Sequence, residues 1–128
     1  MRVDKKSLFL SVAICLLPIL IGVYYYDALP EQIAVHFNVS GEPDDFVSKT
    51  RAIIDLPIFF AIVQVIISLV VDFDKTPKKG ALIAKGITPL VSVLVQGGIV
   101  AYALDNNFNV PQLAVFIICL LYTSDAAD

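Results

Sequence analysis

The sequence predicts an all-α, polytopic helical membrane protein with three complete transmembrane helices, a truncated fourth and a short extracytoplasmic loop of partly extended structure. Three observations carry this expectation. Of the 128 residues, 58% are hydrophobic and only 16% charged, whereas a soluble domain is usually about 45–50% apolar and about 25% charged. The excess apolar residues fall into long charge-free runs instead of being interleaved with polar ones at helical or strand period. Short charged stretches separate those runs. The net charge of −3 argues for no nucleic-acid partner. The one basic cluster, Lys75 to Lys85, lies between two apolar runs, where a cytoplasmic membrane loop carries its positive residues.

The first helix is expected over about residues 8–26. Leu8 to Tyr26 is free of charge and, at about 1.5 Å per residue, covers about 28 Å, close to the hydrocarbon thickness. Arg2, Lys5 and Lys6 precede it, and Tyr24, Tyr25 and Tyr26 close it at the level where aromatic side chains prefer the membrane interface. A cleaved signal peptide would need a shorter apolar region and a small-x-small site, which Tyr24 to Asp27 does not offer. The second helix is expected over 53–71, with Asp55 as N-cap and Pro57 in the first turn, where its missing N–H does no harm. The third is expected over 86–104, with Pro89 near its start and Gly97-Gly98 allowing close helix approach. The fourth is expected from 110 to 118 onward. Its apolar stretch ends at Tyr122, too short for about 30 Å, and a polar string follows. A helix stopping in mid-membrane would leave carbonyls unsatisfied in lipid. Residues 119–128 therefore read as a non-native tail that resembles translated sequencing-adaptor read-through, and the chain as an N-terminal fragment of a longer protein.

Lys and Arg in the flanks set the orientation. Arg2, Lys5, Lys6, Lys75, Lys78, Lys79 and Lys85 fall on one side and only Lys49 and Arg51 on the other. The positive-inside rule then places the N-terminus in the cytoplasm and residues 27–52 outside.

That outer loop is the informative stretch. Ile33, Val35, Phe37 and Val39 alternate with Gln32, Ala34, His36, Asn38 and Ser40, which is strand period with His36 on the polar face. Ser40 to Asp44 is rich in turn residues. The expectation is an extended segment, a tight turn with Asp44-Asp45 solvated, and a return into the second helix.

In order and spacing, Leu29-Pro30, His36-Phe37, Gly41, Pro43-Asp44 and Lys49 resemble the signature of domain-of-unknown-function family 1648, over roughly residues 12–60. Ala34 stands where that family often has Pro. The family is similar to the N-terminal part of Sdp-type toxin immunity proteins of Gram-positive bacteria. The resemblance implies a multi-pass protein of the bacterial cytoplasmic membrane that binds or blocks a peptide toxin at the outer face, and it points to a cytoplasmic repressor as a further partner.

The remaining candidates are weighed on chemistry. His36 could ligate a cation with Glu42, Asp44 and Asp45, but a metal site usually shows several His or Cys at defined spacing. A structural hydrogen bond that fixes the loop is the stronger expectation, with no metal and no cofactor. Cys15 and Cys119 lie in apolar runs and read as small packed or lipid-facing residues. Gln64 and Gln96, near the middles of two spans, are expected to hydrogen-bond between helices. With no nucleophile–base pair, phosphate loop or metal motif, the sequence is not read as an enzyme. The alternative to peptide immunity is a small-solute permease or permease subunit, which the lack of deep ionisable residues disfavours. A structural partner of another membrane protein is a third reading.

Overall fold

A computed structural model describes residues 3–74 and 80–126. The chain runs α1 (Lys5–Leu16), α2 (Ile19–Tyr24), a single 3₁₀ turn (Tyr26–Ala28), β1 (Gln32–Phe37), β2 (Pro43–Ser48), α3 (Lys49–Phe73), α4 (Ala81–Leu104) and α5 (Val110–Ala126). The fold is mostly helical rather than all-α, because the segment between α2 and α3 pairs into a two-stranded antiparallel sheet. Lys5–Tyr24, Lys49–Phe73 and Ile83–Leu104 are long and apolar enough to cross a membrane. The chain is compatible with a membrane protein on that ground.

The faces of these helices are the reverse of a water-soluble bundle. Leu10, Leu17, Leu20 and Val23 of the first span point outward, as do Ile58, Phe59, Ile62, Ile66 and Val70 of α3. Between the helices, away from the hairpin end, many of the buried positions are small or polar: Ser11, Cys15 and Gly22 on the first long segment, Ala61, Gln64 and Ser68 on α3, Thr88, Ser92 and Gln96 on α4. Where lipid tails are as apolar as leucine, helices associate through close approach of small residues and through interhelical hydrogen bonds. Gly22 shows the closeness: a Cβ there would fall 2.5 Å from Ile53 Cγ1. Gly98 faces Leu113 in the same way, whereas Gly97 has open space at its Cβ position. Only one of the two glycines expected to bring helices together does so.

Each of the three long apolar segments contains a buried proline, and near each a backbone carbonyl accepts from a neighbouring helix; at Pro57 and Pro89 it is the carbonyl that the proline leaves free. Proline has no N–H and removes the helical bond to the carbonyl four residues earlier. Pro57 withholds it from Ile53, whose carbonyl oxygen accepts from Gln96 Nε2 at 3.1 Å. Pro89 withholds it from Lys85, whose carbonyl oxygen accepts from Gln64 Nε2 at 2.8 Å. Pro18 divides α1 from α2, and there Ser92 Oγ donates to the Cys15 carbonyl oxygen at 2.9 Å. Gln64 and Gln96 thus make the helix–helix contacts expected of them, with a more specific task. Freed backbone groups at membrane depth need such partners.

Several boundaries differ from expectation. α3 begins at Lys49 and not at residue 53, because Ser48 closes β2 and caps the helix, its Oγ accepting from Arg51 N at 3.4 Å. Asp55 is therefore no N-cap; it lies one turn on, 3.0 Å from Arg51 Nε. Pro57 lies in the helix interior. α4 begins at Ala81 and not at 86. Lys85, counted as loop, is on that helix and pairs with Asp72 of α3 at 2.6 Å. α5 continues to Ala126, so the polar string after Tyr122 extends the helix instead of ending it. Arg2, Lys75, Lys78, Lys79 and residues 127–128 lie outside the described residues.

The bundle has two distinct ends. At one, Asp72 accepts from the Asp4 backbone N–H at 2.9 Å as well as from Lys85, joining the starts of α1 and α4 to the end of α3. At the other, the hairpin packs onto the ends of α2 and α4 and the start of α3. Leu29 and Ile33 are buried there with Ala52, Ile53, Ile99 and Val100.

Candidate functional site

The hairpin end is where the motif residues collect, and the structure divides them into three groups. Leu29, Phe37, Gly41 and Lys49 build the hairpin and seat it. Leu29 belongs to the core beneath it. Phe37 meets Tyr102 of α4 edge to face, ring centroids 5.0 Å apart. Lys49 is largely buried: its Nζ donates to the Tyr26 carbonyl oxygen at 3.1 Å, lies 4.2 Å from that ring's centroid and 3.6 Å from Glu31 Oε1. Its backbone N–H donates to the Glu31 carbonyl oxygen at 3.0 Å. One side chain thereby ties the entry of the loop to the first turn of α3. The Tyr26 hydroxyl and Thr50 Oγ1, 2.9 Å apart, add a second tie.

The turn between the strands is set by Asn38 and Gly41. Asn38 Oδ1 accepts from the Ser40 and Glu42 backbone N–H groups at 2.9 and 3.0 Å, an Asx arrangement in which the side chain stands in for a backbone acceptor. Gly41 takes φ +82°, and a Cβ on it would lie 2.5 Å from Pro111 Cγ. Both the backbone angle and the neighbour require glycine. Val39, expected on the apolar face, is fully exposed at the tip because the strand ends at Phe37.

His36 and Asp44 form the second group. The pairing Ala34 to Phe46, His36 to Asp45, Phe37 to Pro43 leaves Val35 without a cross-strand partner on β1 and Asp44 without one on β2. These opposed bulges bring Asp44 Oδ1 to 2.6 Å from His36 Nδ1. Asp44-Asp45, expected as a solvated turn, is part of β2. The hydrogen bond to Asp44, then its charge, then that of Asp45 raise the His36 pKa above the ordinary imidazole value. The His36 hydrogen bond expected from the sequence is present, but at the surface. Among the described residues no three His, Cys, Asp or Glu side chains come together as a metal site.

Pro30 and Pro43 form the third group. They line a cavity of about 260 Å³ between the hairpin and the end of α4, with Gln32, Phe46, Tyr102 and Asn106 among its other walls. Small-molecule pockets usually run about 300–1,000 Å³, so this one suits a single side chain better than a whole solute. The half-exposed Phe46 lies in its wall, and exposed Glu42, Asp44 and Asp45 belong to the same hairpin. Sequence reasoning missed Phe46, Tyr102 and Asn106. An aromatic residue at the end of a span was the available signal for Tyr102; nothing local marked Asn106.

Away from this end, the polar candidates Gln64 and Gln96 are both buried between helices. Residues 13–61 match the model of the family described as Domain of unknown function (DUF1648). The match covers the later part of the first long apolar segment, the hairpin and half of α3, close to residues 12–60, which carry the resemblance. No curated protein and no solved structure matches the chain.

Proposed function

We propose that this chain, whose residues 13–61 match the DUF1648 family model, is a multi-pass protein of the bacterial cytoplasmic membrane that binds or blocks a peptide at its outer face, in the manner of Sdp-type immunity or signalling proteins. The observation that carries the reading is the side-chain-sized cavity at the hairpin end, walled by Pro30 and Pro43 of the family motif and by Tyr102. A peptide threads one side chain into such a cavity while its backbone stays outside. The outward apolar faces of the three long helices support insertion, and the Lys/Arg asymmetry supports a cytoplasmic N-terminus. The exposed Tyr24 and Tyr25 at the hairpin end fit an interface position.

Under this reading the chain is not an enzyme and takes no cofactor; recognition is its work, and a repressor held at the cytoplasmic face is its route to signalling. The permease reading stays second, since the cavity is small and Gln64 and Gln96 are committed to backbone carbonyls. The test is survival of a sensitive bacterium challenged with an Sdp-class peptide toxin. Expression of the full chain should protect, and Phe46→Ala should reduce protection at equal membrane abundance. No protection at equal abundance, together with solute uptake into proteoliposomes, would move the assignment to the permease.

A further inference from the structure

The end of the bundle opposite the hairpin carries a second concavity, of about 550 Å³, between α1 and α4. Its α1 wall is Ser7, Leu10, Ser11 and Ile14, spaced so that they share one helical face. Its α4 wall runs from Lys85 and Gly86 through Pro89 and Leu90 to Val93. Polarity is graded along it. Ser7 and Lys85 lie at the terminus of the bundle, and Ile14 and Val93 lie deepest. From Ser7 to Ile14 the helix rises about 10 Å, roughly a third of a hydrocarbon core of about 30 Å.

We infer that this groove binds one anionic phospholipid of the adjoining leaflet, with the headgroup beside Ser7 and Lys85 and the upper part of an acyl chain along Leu10, Ile14, Leu90 and Val93. The graded lining matches an amphiphile lying along the helices, and a uniformly apolar helix would not need the polar end. The charge supports an anion. Two carboxylates at this end are engaged, Asp72 with Lys85 and the Asp4 N–H, and Asp4 with the Ser7 N–H that it caps; Asp74 follows at the end of α3. An ammonium has three hydrogens, so Lys85 can hold a phosphate oxygen while keeping Asp72. Lys6, exposed beside Ser7, adds a second positive group. The floor is open at Gly86, where a Cβ would meet nothing within 4 Å.

The inference rests on membrane insertion, part of the preceding reading, and is independent of any peptide. The test is native mass spectrometry of the full chain released from micelles holding equal phosphatidylglycerol and phosphatidylcholine. Phosphatidylglycerol should be retained preferentially, with roughly fivefold lost for each lysine neutralised near the surface, as in Lys6→Gln. Gly86→Leu should fill the groove and abolish retention, while Gly86→Ala, too small to fill it, should not. Both replace a helical glycine and should not weaken folding. Equal retention of the two lipids, or retention unchanged in Gly86→Leu, would overturn the site. So would a dimer that Gly86→Leu dissociates, since the occupant would then be a second copy. Release of the wild-type chain from membranes by alkaline carbonate would instead sink insertion itself.

Discussion

Gln96, on α4, supplies to α3 the hydrogen bond that Pro57 withholds: its Nε2 reaches the Ile53 carbonyl oxygen at 3.1 Å. Gln64, on α3, does the same for α4 at the Lys85 carbonyl left by Pro89. The two helices therefore repair each other, and neither is fully satisfied alone.

A double-mutant cycle tests this. Gln96→Leu should cost about 0.6–1.7 kcal/mol, the range of interhelical hydrogen bonds in membrane proteins. The cost is moderated because the Gln96 amide oxygen is itself buried with no donor among the described residues. In a Pro57→Ala background the alanine N–H can bond to Ile53, so Gln96→Leu should there cost less. Thermal unfolding in detergent reads the coupling; strictly additive losses would show that the glutamine and the proline act separately.

The glycines should split into two classes. Gly22→Ala pushes a methyl into the buried, branched Ile53 side chain and should cost about 1–3 kcal/mol, as overpacking does. Gly97→Ala meets open space and should stabilise by up to about 1 kcal/mol through helix propensity. Equal effects at the two positions would refute the packing described here.

At the hairpin tip, Gly41→Ala should destabilise for two reasons, the positive φ and Pro111. The backbone part, about 1–2 kcal/mol for a left-handed non-glycine residue, should persist in Gly41→Ala/Pro111→Ala, and the remainder should be relieved. Hydrogen exchange of the β1 and β2 amides measures it. A double variant no better than Gly41→Ala alone would mean that Pro111 is not the obstacle.

The His36–Asp44 pair sets a pH dependence. The folded pKa of His36 lies above its unfolded value, so the pairing contributes fully below the unfolded value of about 6.5. That contribution is lost as pH rises through the raised folded value. NMR titration should find His36 above the ordinary value in the wild type and closer to it in Asp44→Asn. Hairpin amides should exchange faster, beyond the intrinsic rate increase, once His36 is neutral. An identical titration in both proteins would discard the pair as the cause.

The three long helices were legible because charge-free runs of span length have few other uses. Their starts were not. In the sequence Asp55 and Lys85 look like helix borders because charge ordinarily ends an apolar run, whereas the Arg51 and Asp72 partners let both lie on helices. β2 was illegible because Pro43-Asp44-Asp45 opens it and only Phe46 and Val47 are apolar; pairing with β1, not local preference, makes it a strand. Ser68, Thr88 and Ser92 carry no sequence mark that separates a packed hydroxyl from a lipid-facing one. Of the cavity, Pro30 and Pro43 stood out as part of a motif. Tyr102 and Asn106 come from a distant helix end that only the fold brings close.

The matched stretch, 13–61, ends before any residue of α4, yet Phe37 rests on Tyr102, Ile33 on Ile99 and Val100, and the Ile53 carbonyl on Gln96. The inherited segment and the autonomous unit are thus different lengths of chain. A peptide cut to 13–61 would expose the underside of its own hairpin and leave α3 with an open backbone group. Any chimaera that exchanges this segment between relatives would have to carry its α4 counterpart, about residues 95–106, along with it, or select for compensating changes there.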